Sequence, residues 1–240
     1  MIGFDAYDRG ARLAPAYLVL SPLAVFVFSL AIGSPTWWSK LGGILIACGG
    51  PLLAAHWGRA GGRTKQPALF AAWGGSPTTR LLRYSTGGLR ATVDERHAVV
   101  ERATGVSLPS ESDEHADPEA AEARYESASA RLRELTRGDV FPLVLKENTS
   151  YGFRRNLWAR KPYGIVVAAL VSLASAVLLV VDAVGREVAP TGSALVPFVY
   201  GVLALVVRTM MVTPEWVRDA AEAYATRLLE SAVRVPPHGA

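Results

Sequence analysis

The residues best suited to chemistry lie in one stretch, Tyr151-Gly152-Phe153-Arg154-Arg155-Asn156-Leu157-Trp158, where aromatic rings alternate with guanidinium groups. A ring can stack on a nucleobase, and a guanidinium can hold a phosphate through paired, charge-assisted hydrogen bonds. The stretch suits a second role equally, because basic and aromatic residues just before an apolar segment anchor a chain to anionic lipid headgroups. At the level of residue types both readings stand. Earlier in the chain, Arg80 and Arg83 share one side of a short helix expected from Pro77 or Thr78 to Tyr84.

Catalytic patterns are missing. His56, His97, His115 and His238 have no ligand-like spacing with one another or with carboxylates, so each reads as a surface or interfacial residue and no metal is implied. The single cysteine, Cys48, falls in an apolar block and supports neither a disulfide framework nor a thiolate site. Trp73 to Pro77 has glycines without the strand and helix of a nucleotide fingerprint, and no phosphate-cradling loop with its Lys occurs. Ser76 and Ser150 lack the Gly-x-Ser-x-Gly setting of a nucleophile elbow. The chain reads as non-enzymatic, with no catalytic residue and no cofactor.

The elements that would position the aromatic and basic groups follow from hydropathy. Of 240 residues, 50% are hydrophobic and only 19% charged, too apolar for an ordinary soluble domain. The excess sits in four blocks: Leu13 to Ile32, Leu41 to Trp57, Tyr163 to Val184 and Ala194 to Val212. About twenty residues at about 1.5 Å each match a hydrocarbon core of roughly 30 Å, so each block is expected to span a membrane. Trp38 and Trp57 mark the ends of the second, narrower span, and Asp182 and Arg208 lie near enough to span ends to reach the interface. Arg9 and Arg12 before the first block also fit a signal peptide. That run is too long for a signal core, however, and leads through Gly33, Ser34 and Pro35 into Trp37, Trp38 and a second apolar block.

Lys and Arg set the orientation. The short connections Gly33 to Lys40 and Gly185 to Ser193 hold only Lys40 and Arg186, whereas the central loop carries Arg59, Arg63, Lys65, Arg80, Arg83, Arg154, Arg155, Arg160 and Lys161 near its ends. The expected fold is an all-α integral membrane protein of a bacterial cytoplasmic membrane, with four transmembrane helices in two hairpins and a mainly helical cytoplasmic domain. Residues 1–57 form the first hairpin, 58–161 the cytoplasmic loop domain, 162–212 the second hairpin and 213–240 a C-terminal amphipathic helix, with both termini cytoplasmic.

Within the loop, Arg59 to Gly88 is basic and punctuated by turns, Ala91 to Thr104 is helical, and the acidic stretch Pro109 to Ala116 reads as an exposed, mobile linker. Asp117 and Pro118 are a cap and first-turn pair for the next helix. Its apolar stripe, Ala121, Tyr125, Ala128, Leu132 and Leu135, needs a partner, either in the same subunit or in another. After the fourth span, Thr213 and Pro214 start a helix that ends near Ser231. One face carries Trp216, Val217, Ala220, Ala221, Tyr224 and Leu228, a face to dock on the loop or the membrane surface; Val235 to Ala240 reads as a frayed tail.

Small residues crowd the second span, at Gly42, Gly43, Ala47, Gly49, Gly50, Ala54 and Ala55, and the third, at Ala168, Ala169, Ser172, Ala174, Ser175 and Ala176, so helices can approach closely within or between subunits. The run from Leu69 to Thr79, Leu-Phe-Ala-Ala-Trp-Gly-Gly-Ser-Pro-Thr-Thr, and that from Glu147 to Leu157, Glu-Asn-Thr-Ser-Tyr-Gly-Phe-Arg-Arg-Asn-Leu, lie between two pairs of spans. The two runs look like those of small bacterial four-span proteins, and in layout the chain is similar to four-transmembrane bacterial anti-phage effectors encoded beside nucleotidyltransferases, including the Hailong type. The resemblance implies a homo-oligomeric ion-conducting pore, for which a tetramer is one permitted count. Its gate would answer to a nucleotide or short single-stranded oligonucleotide made by the partner nucleotidyltransferase. Trp73, Arg80, Arg83, Tyr151, Arg154, Arg155 and Asn156 would then bind that ligand. The alternative from the same layout is a non-conducting membrane scaffold whose loop binds a protein partner.

Overall fold

The computed structural model describes residues 7–33, 61–185 and 194–238; the second apolar block, Cys48, His56 and most of both short connections lie outside these. Every element among the described residues is helical. They are α1 (Ala14–Gly33, opened by a π-helical turn at Asp8–Leu13), α2 (Gly61–Ala72), α3 (Pro77–Leu82), α4 (Arg90–Thr104), α5 (Glu111–Ala116), α6 (Pro118–Leu135), α7 (Pro142–Ala159), α8 (Lys161–Ala183), α9 (Leu195–Met210) and α10 (Pro214–Ser231), ending in a 3₁₀ turn, Ala232–Arg234.

The chain divides into two units. The first comprises Met1–Lys65 and Gly152–Val217, the second Gln66–Tyr151 and Arg218–Ala240. Two helices of the first unit are long and apolar enough to cross a membrane, Asp8–Ala31 with 24 residues and Lys161–Ala183 with 23. A third is reached only if Leu195–Met210 is taken together with the helix that follows it after a sharp bend. Among the described residues this is two or three spans rather than a clear four: the second apolar block lies outside them, and α9 alone has 16 residues, roughly 24 Å of rise.

Small side chains set the packing of this unit. Buried Gly164, Ala168, Ser172 and Ser175 run down one face of α8, and α9 lies on them through Pro197, Gly201 and Arg208. A Cβ on Gly201 would overlap the Ser172 hydroxyl, so the two backbones meet at a distance that only glycine permits. Helix α1 packs on both. The small-residue face of α8 is thus occupied within the subunit. Its opposite face exposes Val166, Leu170, Leu173, Val177 and Val180, and α9 exposes Val199, Leu203 and Val206, an apolar exterior suited to lipid.

The second unit has its own core, in which Leu82, Val100, Leu108, Val144 and Leu228 close around α6. Asp117 caps α6 by accepting from the Ala120 N–H at 3.0 Å, and Pro118 takes the first position, where no N–H is needed. Ala121, Tyr125, Ala128 and Leu132 are buried in that core, so their stripe is satisfied by packing within the chain. Helix α10 contributes Leu228 and Leu229 to the same core, a docking onto the loop region.

Three expectations are corrected. The turn-rich stretch Arg59 to Gly88 contains helix α2 as well as α3, since Pro67 is tolerated inside α2. The acidic linker Pro109 to Ala116 is helix α5, started by a reciprocal capping box between Ser110 and Asp113. The frayed tail is pinned: Val235 is buried, and the His238 N–H donates to the Arg102 carbonyl at 2.9 Å.

Helix α5 exists to place Glu114, which is only 7% exposed. Its carboxylate accepts from Tyr84 N–H at 2.8 Å, Tyr125 O–H at 2.7 Å, Ser85 N–H at 3.2 Å and Ser85 O–H at 2.8 Å. Burial pushes its pKa up, but these four donors outweigh it and hold the carboxyl below its ordinary value. Its stabilisation is therefore full above the unfolded carboxylate pKa and fades as pH falls through the lower folded one. Glu114→Gln presents an NH₂ group where donors already point, an expected loss of about 1–3 kcal/mol read as a lower thermal midpoint in detergent. An unchanged midpoint would remove Glu114 from the stabilising contacts.

Candidate functional site

Proline creates the polar feature around which the first unit is arranged. Pro15 and Pro22 sit in α1 without an N–H, so the carbonyls four residues earlier, on Ala11 and Leu18, lose their α-helical donor. Water could meet those carbonyls in a soluble protein; in hydrocarbon each would cost several kcal/mol. Both are met by side chains from distant helices. Asn156 of α7 donates through Nδ2 to the Ala11 carbonyl at 2.6 Å. Arg208 of α9 donates through Nη2 to the Leu18 carbonyl, which also accepts from the Ser21 hydroxyl at 2.8 Å. Tyr200 extends the chain by donating to Ser21 Oγ at 2.9 Å.

Glycines admit these props. A Cβ on Gly152 would lie 2.8 Å from Ala11 Cβ, so the close approach of α7 to the turn before α1 requires glycine at this position. A Cβ on Gly164 would lie 2.6 Å from Arg208 Nε, so the guanidinium passes across the first turn of α8. Arg208 does not reach outward to the interface as its position near a span end suggests. It is 7% exposed and bonds inward, to Leu18 and, at 3.1 Å, to the Ala204 carbonyl.

Two lysines of this unit seal helix ends. Lys161 donates to the carbonyls of Thr209 and Val212 at 3.2 and 3.0 Å, closing the C-terminus of α9. Lys65 does the same for α7, donating to the Ala159 carbonyl at 3.2 Å, with its ammonium 5.6 Å from the Trp158 ring centroid. Arg154 lies 5.0 Å over the Trp216 ring and donates to the Trp216 carbonyl at 2.9 Å. Phe153 meets that indole edge-on at 6.3 Å, beside buried Val19, Leu157 and Val212. Arg155 is buried as well.

In the second unit the Trp73–Pro77 turn has a similar logic. Gly74 and Gly75 adopt φ of +78° and +124°, and Ser76 caps α3 by accepting from the Thr79 N–H at 3.3 Å. Arg83 locks the turn. Its Nη1 donates to the Gly74 carbonyl at 2.7 Å and its Nε to Glu122 at 2.8 Å, while a Cβ on Gly75 would lie 2.6 Å from Nη2. The Glu122 hydrogen bond raises the Arg83 pKa, so this guanidinium stays charged. Arg80 reaches Glu222 at 3.4 Å, a carboxylate shared with Arg218 at 2.8 Å. Trp73 is buried with Phe70 at 6.0 Å, and Tyr151 stacks on Tyr224 at 6.3 Å, nearly parallel.

The seven residues read as ligand contacts therefore fall into two groups: Trp73, Arg80, Arg83 and Tyr151 in the second unit, Arg154, Arg155 and Asn156 in the first. Each is half-buried or buried. The alternation of rings and guanidinium groups is used within the chain, as cation–π pairs and carbonyl bonds. His97 is also internal rather than on the surface, with Nε2 2.6 Å from the Leu82 carbonyl. Sequence reasoning missed Leu18, Ser21 and Tyr200; the available signal was a proline inside an apolar run together with polar residues in another span. No protein-family model, curated protein or solved structure matches the chain.

A double-mutant cycle tests the proline account. Arg208→Ala should lower the thermal midpoint strongly in the native background, a loss of about 1–3 kcal/mol for the orphaned carbonyl. Pro22→Ala restores an N–H for Leu18, so Arg208→Ala should cost distinctly less there. Equal losses in the two backgrounds would separate Arg208 from Pro22.

Proposed function

We propose that this chain is a multi-pass protein of a bacterial cytoplasmic membrane, with four spans in two hairpins and both termini inside. In this reading it works as an oligomeric ion-conducting effector, controlled by a nucleotide or short oligonucleotide that reaches its cytoplasmic unit from a partner nucleotidyltransferase. The observation that carries the reading is the apolar exterior of the first unit, where Val166, Leu170, Leu173, Val199 and Leu203 stand exposed on α8 and α9 as lipid contact requires. Orientation is supported by the basic residues of the first unit, since Arg12, Lys65, Arg154, Arg160, Lys161 and Arg208 gather where α1 and α8 begin and α9 ends. For a polyanion to engage Arg80 and Arg83 it would compete with Glu222 and Glu122, which makes ligand binding an exchange of partners.

One observation favours a second reading, a non-conducting membrane scaffold: the candidate ligand contacts are half-buried or buried and already engaged by the chain's own groups. A membrane-potential dye separates the two. Bacteria expressing the chain should depolarise in a manner that depends on the partner enzyme, and Tyr151→Ala should weaken that dependence while leaving the chain in the membrane. A potential unchanged with and without the enzyme, from a purified monomer or dimer with no central path, would overturn the pore and leave the scaffold.

A further inference from the structure

Helix α8 begins in a way that invites an anion. Arg160 is its N-cap residue, Lys161 and Pro162 follow, and no acidic residue or capping side chain serves its first turn. The amino end of a helix carries unmet N–H groups and the positive pole of its dipole, so cations there are unfavourable unless an anion offsets them. Yet α9 adds a third cation, because Arg208 crosses Gly164 in that same first turn.

The two guanidinium groups are enclosed and incompletely bonded. Arg160 is 8% exposed and Arg208 7%, and Arg160 Nη2 and Arg208 Nε are buried without a hydrogen-bond partner. Among the described residues no carboxylate forms an ion pair with Arg160, Lys161 or Arg208. Burial lowers the Arg160 pKa, as expected of a charge without an opposite partner. Tyr163, one residue beyond Pro162, is 70% exposed, an amphipathic ring at the level where headgroups lie.

We propose that the first turn of α8 binds a phosphate group, held by Arg160, Lys161 and Arg208, and that the group belongs to an anionic lipid of the inner leaflet. The phosphodiester supplies acceptor oxygens to the guanidinium groups and the helix end. The proposal rests on the membrane placement given above and is independent of conduction.

The test uses the full chain, first checked for retention in carbonate-washed membranes and then purified in neutral detergent. Mixed micelles of phosphatidylcholine are compared with and without phosphatidylglycerol, by thermal midpoint and by native mass spectrometry of retained lipid. Phosphatidylglycerol should raise the midpoint by several degrees over phosphatidylcholine and remain bound. Arg160→Gln and Lys161→Gln should each weaken its retention about tenfold, a loss of roughly 1.4 kcal/mol, whereas Arg234→Gln should not. Millimolar inorganic phosphate giving the same stabilisation in phosphatidylcholine would keep the site and assign it to free phosphate. Indifference to both phosphates, or variants that retain phosphatidylglycerol as the native chain does, would overturn the site. Loss of the chain from washed membranes would instead overturn the placement on which it rests.

Discussion

A carbonyl without a donor is tolerable in water and severe in hydrocarbon, and the first unit is arranged around two of them. Pro15 and Pro22 free the Ala11 and Leu18 carbonyls. Asn156 and Arg208 answer them across 145 and 190 residues of sequence. These bonds dictate where glycine must stand, at Gly152 and Gly164, and which helices can be neighbours. They also explain why an arginine, expensive in an apolar setting, is retained on α9. Its guanidinium has enough donors to meet Leu18 and Ala204 together, which lysine could not do in the same fixed plane.

The two glycine and arginine motifs of the chain follow one rule in different surroundings. In the second unit, Gly74 and Gly75 supply left-handed backbone and Arg83 fills the space that a side chain would have taken. In the first, Gly164 leaves the space and Arg208 fills it. In each case a guanidinium bonds a main-chain carbonyl that regular secondary structure does not meet. Such arginines look like ligand contacts in a linear reading, because stacking and forked hydrogen bonding serve internal carbonyls as well as phosphates.

Legibility in the sequence tracked the range of the interaction. Helix α6 was readable because its first-turn proline and apolar stripe fall within eighteen residues and its cap immediately precedes them. The apolar helices were readable from composition, although the 16-residue α9 shows that an apolar block and a helix of spanning length are different quantities. Glu114 was hidden, since an acidic run looks solvated until Tyr84, Ser85 and Tyr125 are brought to it. The inward turn of Arg208 was hidden for the same reason: its partner is a carbonyl made available by a proline near the other end of the chain.

Gly152 and Asn156 lie four residues apart on α7 and meet the same residue, Ala11, the first by close approach and the second through its amide. Their spacing is about one helical turn, so a residue inserted between them would turn Asn156 by about 100° and take its amide from the Ala11 carbonyl. The pair works as a two-pin plug, in which the glycine sets the depth and the amide sets the rotation.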